Sequence, residues 1–217
     1  MVKMTKRSLP VGVTITSEKD YRSGIVLEML AEDCHQKCYI CEDKPTSINV
    51  EHIVSHRSDP MLKYDWNNLF IACPHCNNIK GTKYDDTLNP AECDPEEHIE
   101  LSVDITDDFI EEVRIEPIKR DSCTLRTVEL LGYVYNGGST DIKEIECANL
   151  RNEHLLPDIQ RFMQFVKGYY DEPDLGYDVL IKKEVSRASK FAAFKRRIIR
   201  EYPEMAEIFL YEALNTA

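Results

Sequence analysis

A chain of 217 residues that is 42% hydrophobic and 30% charged has material for one or two small cores, which excludes a disordered polymer. No window approaches the roughly 18 apolar residues of a membrane span, and the basic opening MVKMTKRSLP leads into no signal-like apolar run, so a cytoplasmic protein with no membrane partner is expected. The net charge of −12 argues against indiscriminate nucleic-acid binding, yet Asp85 to Glu112 alone holds twelve Asp and Glu and no Lys or Arg; the balanced remainder can still carry a phosphate-binding face if that segment points elsewhere or gates it.

Residues 19–36 place Ile25, Leu27, Met29, Leu30 and Cys34 in a mixed helical pattern, with Ser17 as its cap. The helix runs into Cys38-Tyr-Ile-Cys41. Ile48, Val50, Ile53 and Val54 around Glu51 and His52 predict a short strand, and 56–67 a loop packed down by Tyr64 and Trp66. Another short apolar run, 68–72, ends at Cys73-Pro-His-Cys76, and the helix begun there stops near Gly81. Pro90 and Pro95 make 85–98 irregular. Alternation at Ile99, Leu101, Val103 and Ile105, repeated at Val113 and Ile115, predicts a hairpin over 99–117 with Asp107 and Asp108 in its connection. Helical patterns follow at 124–135, 140–170 and 178–215, broken at Gly137-Gly138 and at 171–176. Three regions result: a helical lead-in over 1–36, a motif-bearing core over 37–120 and a helical domain over 121–217.

Eight cysteines in a reducing compartment are poor disulfide formers. Four of them fall in two C-x2-C pairs with 31 residues between, and four thiolates suit tetrahedral zinc better than a hard cation. The charged and polar neighbours Lys37, Glu42, Asp43, His75 and Asn77 do not suit a metal-free apolar cluster, and nothing accompanies an iron-sulfur centre. Cys34, Cys93, Cys123 and Cys147 read as core thiols. An all-cysteine zinc site has no open coordination position, so its role is structural.

Val50-Glu51-His52-Ile53, Asn67-Asn68-Leu69 and Cys73-Pro-His-Cys76-Asn77-Asn78-Ile-Lys80-Gly81, taken in order, resemble the HNH endonuclease family. The resemblance is specific over 36–84, with Asn77 where the name-giving final His would stand. It implies an α+β fold: a zinc-stapled treble-clef ββα-metal core with a short hairpin and a mostly helical C-terminal region. It also implies a general base at His52, an orienting Asn68, and a catalytic Mg(II) or Mn(II) held by Glu51 and Asn77. The chemistry is coherent: attack of water on an anionic phosphodiester needs a proton acceptor and a cation for the charge that grows on oxygen. Lys80 and Lys83 on the helix after the second knuckle are candidate phosphate contacts, while His56 and His75 read as supporting or surface residues.

In its length, the YDWNNL segment at 64–69 and the loop DDTLNPAECDP at 85–95, the whole chain resembles the HNH proteins of retron and Septu-type bacterial defence systems, which work beside an ABC or SMC-like ATPase. The resemblance implies nucleic acid, with DNA favoured, and such an ATPase as partners. The most basic stretch, 181–200, has eight Lys or Arg and one Glu; read as one helix, it turns Phe191, Phe194 and Ile198 to a core and Arg187, Lys190 and Arg197 outward, making Lys190 and Arg197 candidate phosphate contacts. Partner docking and an ordinary solvated face are the competing readings of that stretch. For the whole protein the alternatives are a stand-alone restriction-type HNH nuclease and an inactive zinc-containing module that binds nucleic acid or protein.

Overall fold

The computed structural model describes residues 1–106, 109–137 and 141–211. Ser17 caps the first helix as expected, its side chain accepting from the Asp20 N–H, but the helix is divided into α1 (Glu18–Tyr21) and α2 (Gly24–Asp33). β1 (Asn49–His52) and β2 (Leu69–Ala72) pair antiparallel, with Glu51 opposite Phe70 and His52 opposite Leu69. Between them lie the short helix α3 (Pro60–Lys63) and a 3-10 turn over Trp66–Asn68, both capped by aspartates. Trp66 pins this excursion down, donating its indole N–H to the Arg7 carbonyl at 2.7 Å. α4 (Pro74–Lys80) follows and stops at Gly81, whose φ of 46° is one glycine adopts without strain.

The predicted hairpin is β3 (Ile99–Thr106) and β4 (Phe109–Pro117), antiparallel with a register irregularity at Asp104/Ile105. Asp107 and Asp108, expected in its connection, lie outside the described residues. Ile99, Leu101, Ile110 and Val113 are buried, because alternation turns one face of the ribbon to the core. α5 (Ser122–Asn136) covers that face and is tied to β4 by Asn136, which exchanges two hydrogen bonds with the Val113 backbone. α6 (Asp141–Asn149) runs through a π-helical stretch, Leu150–Leu155, into α7 (Leu156–Asp171). Pro157 lacks an N–H to return to the preceding turn, which accounts for the widened turn just ahead of it.

The single basic helix expected over 181–200 is corrected. α8 (Tyr177–Val185) ends at Ser186, and α9 (Ala192–Arg200) begins after Phe191, which takes a left-handed φ of 48°. α10 (Pro203–Ala206) and a π-helical turn, Glu207–Tyr211, follow. Phe191 and Phe194 are buried as expected, but Arg187 and Lys190 sit in the break and share no helical face with Arg197. The larger buried cluster draws on the lead-in, both knuckles, the hairpin, α5 and Phe191 to Phe194; a smaller one joins α7, α8 and the last turns. No helix among the described residues is long and apolar enough to cross a membrane.

Candidate active site and metal centre

Cys38, Cys41, Cys73 and Cys76 converge with all four sulfurs within 4.8 Å of one another, the only such group of three or more His, Cys, Asp or Glu among the described residues. The first pair sits on a tight turn: Glu42 N–H returns to Cys38 O and Cys38 N–H to Asp43 O, with Glu42 at a left-handed φ of 63°. The second pair opens α4, where Cys73 is the N-cap. Tetrahedral zinc with bonds of about 2.3 Å needs sulfurs about 3.8 Å apart. The Cys41 and Cys73 sulfurs are 3.9 Å apart. Contact with Cys38 raises the Cys41 thiol, and burial raises that of Cys76, well above the ordinary range, a cost that a central cation removes. The donor set fits zinc.

His52 closes β1 and Asn68 precedes β2. The His52 Nε2 lies 3.0 Å from the Lys63 carbonyl. A carbonyl only accepts, so Nε2 carries the proton and Nδ1 keeps the lone pair. Burial holds the imidazole below its ordinary pKa, so it is neutral at pH 7. Tyr21 meets the ring edge-on at 6.2 Å and His56 at 4.8 Å. Asn68 is buried and fully used. Its Oδ1 accepts from the Val54 N–H at 2.8 Å, and its Nδ2 donates to the Val54 and Leu62 carbonyls, each at 2.9 Å. It therefore ties the exit of β1 to the segment that carries the Lys63 carbonyl.

Glu51 precedes His52 on β1, the strand against which α4 packs. Lys80 is wholly buried: its ammonium lies 3.0 Å from a Glu51 carboxylate oxygen, 2.8 Å from the His52 carbonyl and 4.0 Å from Asp85. The reading of Lys80 as a phosphate contact is thereby corrected, since α4 is sandwiched between β1 and α5 and leaves this side chain no free face. Burial raises the Glu51 pKa, and Lys80 opposes the rise. Asn77 lies one turn before Lys80, on the same flank of α4. Asp85 accepts from the Ser55 N–H and pairs with Arg57, securing the loop beyond His52.

The remaining candidates are dispersed. Lys83 is half exposed, pairs with Glu129 and stacks on Tyr84 and Tyr133. Lys190 is held by Asp43 and Arg197 by Glu100 and Glu201. Arg187 pairs with Asp94, and Arg196 and Arg200 share Glu96. Most of the basic stretch is thus spent on acids, many from the 85–112 segment, and that shared surface is no outward cationic face. His75 is wedged between Glu146 and the Val134 carbonyl beside the staple. The Lys63 contact with His52 could not be read from its side chain, because it is made by the main chain; the Asp85 contacts with Ser55 and Arg57 were hidden in an acidic run.

The HNH endonuclease family model matches residues 32–83, which takes in both knuckles, Glu51, His52, Asn68 and Asn77. Septu protein PtuB of Bacillus thuringiensis is 31% identical over 106 residues, which are 46% of this chain and 39% of that protein. The matched part is thus well under half of the relative's length. No solved structure matches. The four-cysteine clasp and the His52 loop thus fall within the matched segment, and residues 32–83 are similar to an HNH endonuclease domain.

Proposed function

We propose that this chain is a metal-dependent HNH endonuclease that hydrolyses nucleic-acid phosphodiester bonds, DNA foremost, as the effector of a cytoplasmic anti-phage complex that includes an ABC or SMC-like ATPase. The observation that carries the nuclease reading is the His52 tautomer: with Nε2 donating to Lys63, Nδ1 can take a proton from water. The likeness to a Septu protein supports the defence setting, and the ATPase follows only from the sequence resemblance to such systems.

The strand pair, α4 and the staple support a treble-clef ββα-metal core, and the division at 36 and 120 goes with it. Glu51 and Asn77 offer oxygen donors to Mg(II) or Mn(II), which when bound offsets the charge that grows on the phosphate. His52 accepts the proton of the attacking water, Asn68 holds the His52 loop to its carbonyl acceptor, and Lys80 keeps Glu51 charged and in place. The test is cleavage of plasmid DNA in Mg(II) or Mn(II) by His52→Ala. Activity should vanish with fold and zinc content intact, whereas wild-type turnover by the variant rejects the mechanism.

A further inference from the structure

The basic stretch is neutralised on one side only. Arg187, Arg196, Arg197 and Arg200 turn to the acidic segment and the hairpin, but Lys183 and Lys190 border a separate cavity of about 440 Å³ with Lys44 and Arg161. That volume falls in the range of small-molecule sites. Two carboxylates also line it, Asp158 and Glu184. Both are already committed to the wholly buried Lys195 beneath them, and both also meet Arg161. Lys190 is paired with Asp43. Among the described residues no carboxylate forms an ion pair with Lys44 or Lys183. The wall carries more positive charge than its own acids neutralise, in a protein whose total charge is −12.

The cavity is also built rather than incidental. Its rim is the turn between α8 and α9, and the buried Lys37 ammonium donates to the Ser189 carbonyl at 2.9 Å, fixing that turn to the zinc knuckle. Ser189 donates its hydroxyl to Glu184 at 2.8 Å. Burial, and then the ammoniums of Lys37 and Lys190, hold Lys44 below its ordinary pKa against the opposing pull of Glu184.

We infer that this cavity is an anion site for phosphate groups, separate from the His52 centre, gripped by Lys44 and Lys183 with Lys190 and Arg161 at its edge. Ammonium groups on flexible stems act on phosphate as point charges, so several of them around one rim favour a ligand that carries two or more phosphates. The phosphates come either from a free polyphosphate or nucleotide, or from the backbone of a bound strand.

Calorimetric titration of the full chain at low salt, without added Mg(II), tests this with two probes: inorganic tripolyphosphate and a six-residue single-stranded oligothymidylate. One-to-one binding of tripolyphosphate, weakened about tenfold or more in Lys44→Gln/Lys183→Gln, supports the site with a free ligand; each charge-assisted contact contributes roughly that much. Binding of the oligonucleotide alone, lost in the same variant, supports it with a strand as the source. Lys44→Arg/Lys183→Arg should retain binding in either case, and zinc content reports that the variants fold. Saturable binding of neither probe, or equal binding by wild type and the Gln variant, overturns the proposal.

Discussion

Removing the Asn68 side chain tests whether the fold presents His52 as the proposed base. Asn68→Ala deletes three hydrogen bonds of 2.8, 2.9 and 2.9 Å that join Val54 and Leu62. A neutral hydrogen bond contributes about 1 kcal/mol net, and the stranded backbone groups add to the loss only where water stays out. Val54 is 37% exposed, so water re-solvates part of what is lost. The sum is about 2–3 kcal/mol, a fall of about 1 M in urea midpoint for a slope of 2–3 kcal/mol/M. The activity loss should be larger than this stability loss implies. Leu62 adjoins Lys63, whose carbonyl orients His52, and a misplacement on the order of 1 Å costs about 10²-fold in rate. Asn68→Asp sharpens the test. It keeps an acceptor for Val54 but sets a carboxylate oxygen against two carbonyls, which raises the new group's pKa. Such a group disfavours folding while ionised and recovers stability as pH falls through the raised value. Urea denaturation and single-turnover cleavage under conditions where both variants are folded read the two effects. A shift in midpoint under about 0.3 M, or wild-type turnover by Asn68→Ala, refutes the positioning role.

Lys80→Met should destabilise the protein by about 3–5 kcal/mol, because it leaves the Glu51 carboxylate buried without its cation; adding Glu51→Gln should recover much of that loss, and a single variant as stable as wild type would contradict the pairing. The pH–rate profile should rise with a midpoint below about 6.5, since burial keeps His52 neutral and only the neutral ring accepts a proton; a midpoint above that value argues against this base. One zinc per chain is expected by elemental analysis, and Cys38→Ser or Cys76→Ser should lose it together with cooperative unfolding, so active, soluble protein without zinc would dismiss the staple.

What could be read from the sequence was whatever is local. The C-x2-C pairs, the alternation over 99–117 and the Ser17 cap each act within a few residues, and each reappears where expected. The break between α8 and α9 did not show, because it rests on a left-handed Phe191 whose ring is buried and whose N–H reaches the Glu42 carbonyl, a partner 149 positions away by number. Lys80 was misread for a related reason. On a two-turn helix a lysine defaults to solvent, and only the approach of β1 on one side and α5 on the other removes that option.

Charge is the clearest case of a nonlocal property. Taken along the chain, the acidic run from Asp85 to Glu112 and the basic run from 181 to 200 look like two separate anomalies, one repelling phosphate and the other inviting it. Folding sets them against each other: Arg196 and Arg200 meet Glu96, Arg197 meets Glu100 and Arg187 meets Asp94, pairs about a hundred positions apart. Glu96 is only 6% exposed at its side chain, so these contacts are partly desolvated and less screened by salt than surface pairs. Within the acidic run, Asp94, Glu96 and Glu100 therefore serve as counter-charge to the C-terminal helices. Phosphate affinity then has to come from cations the clasp leaves over, and counting Lys and Arg along a stretch of sequence cannot reveal which those are.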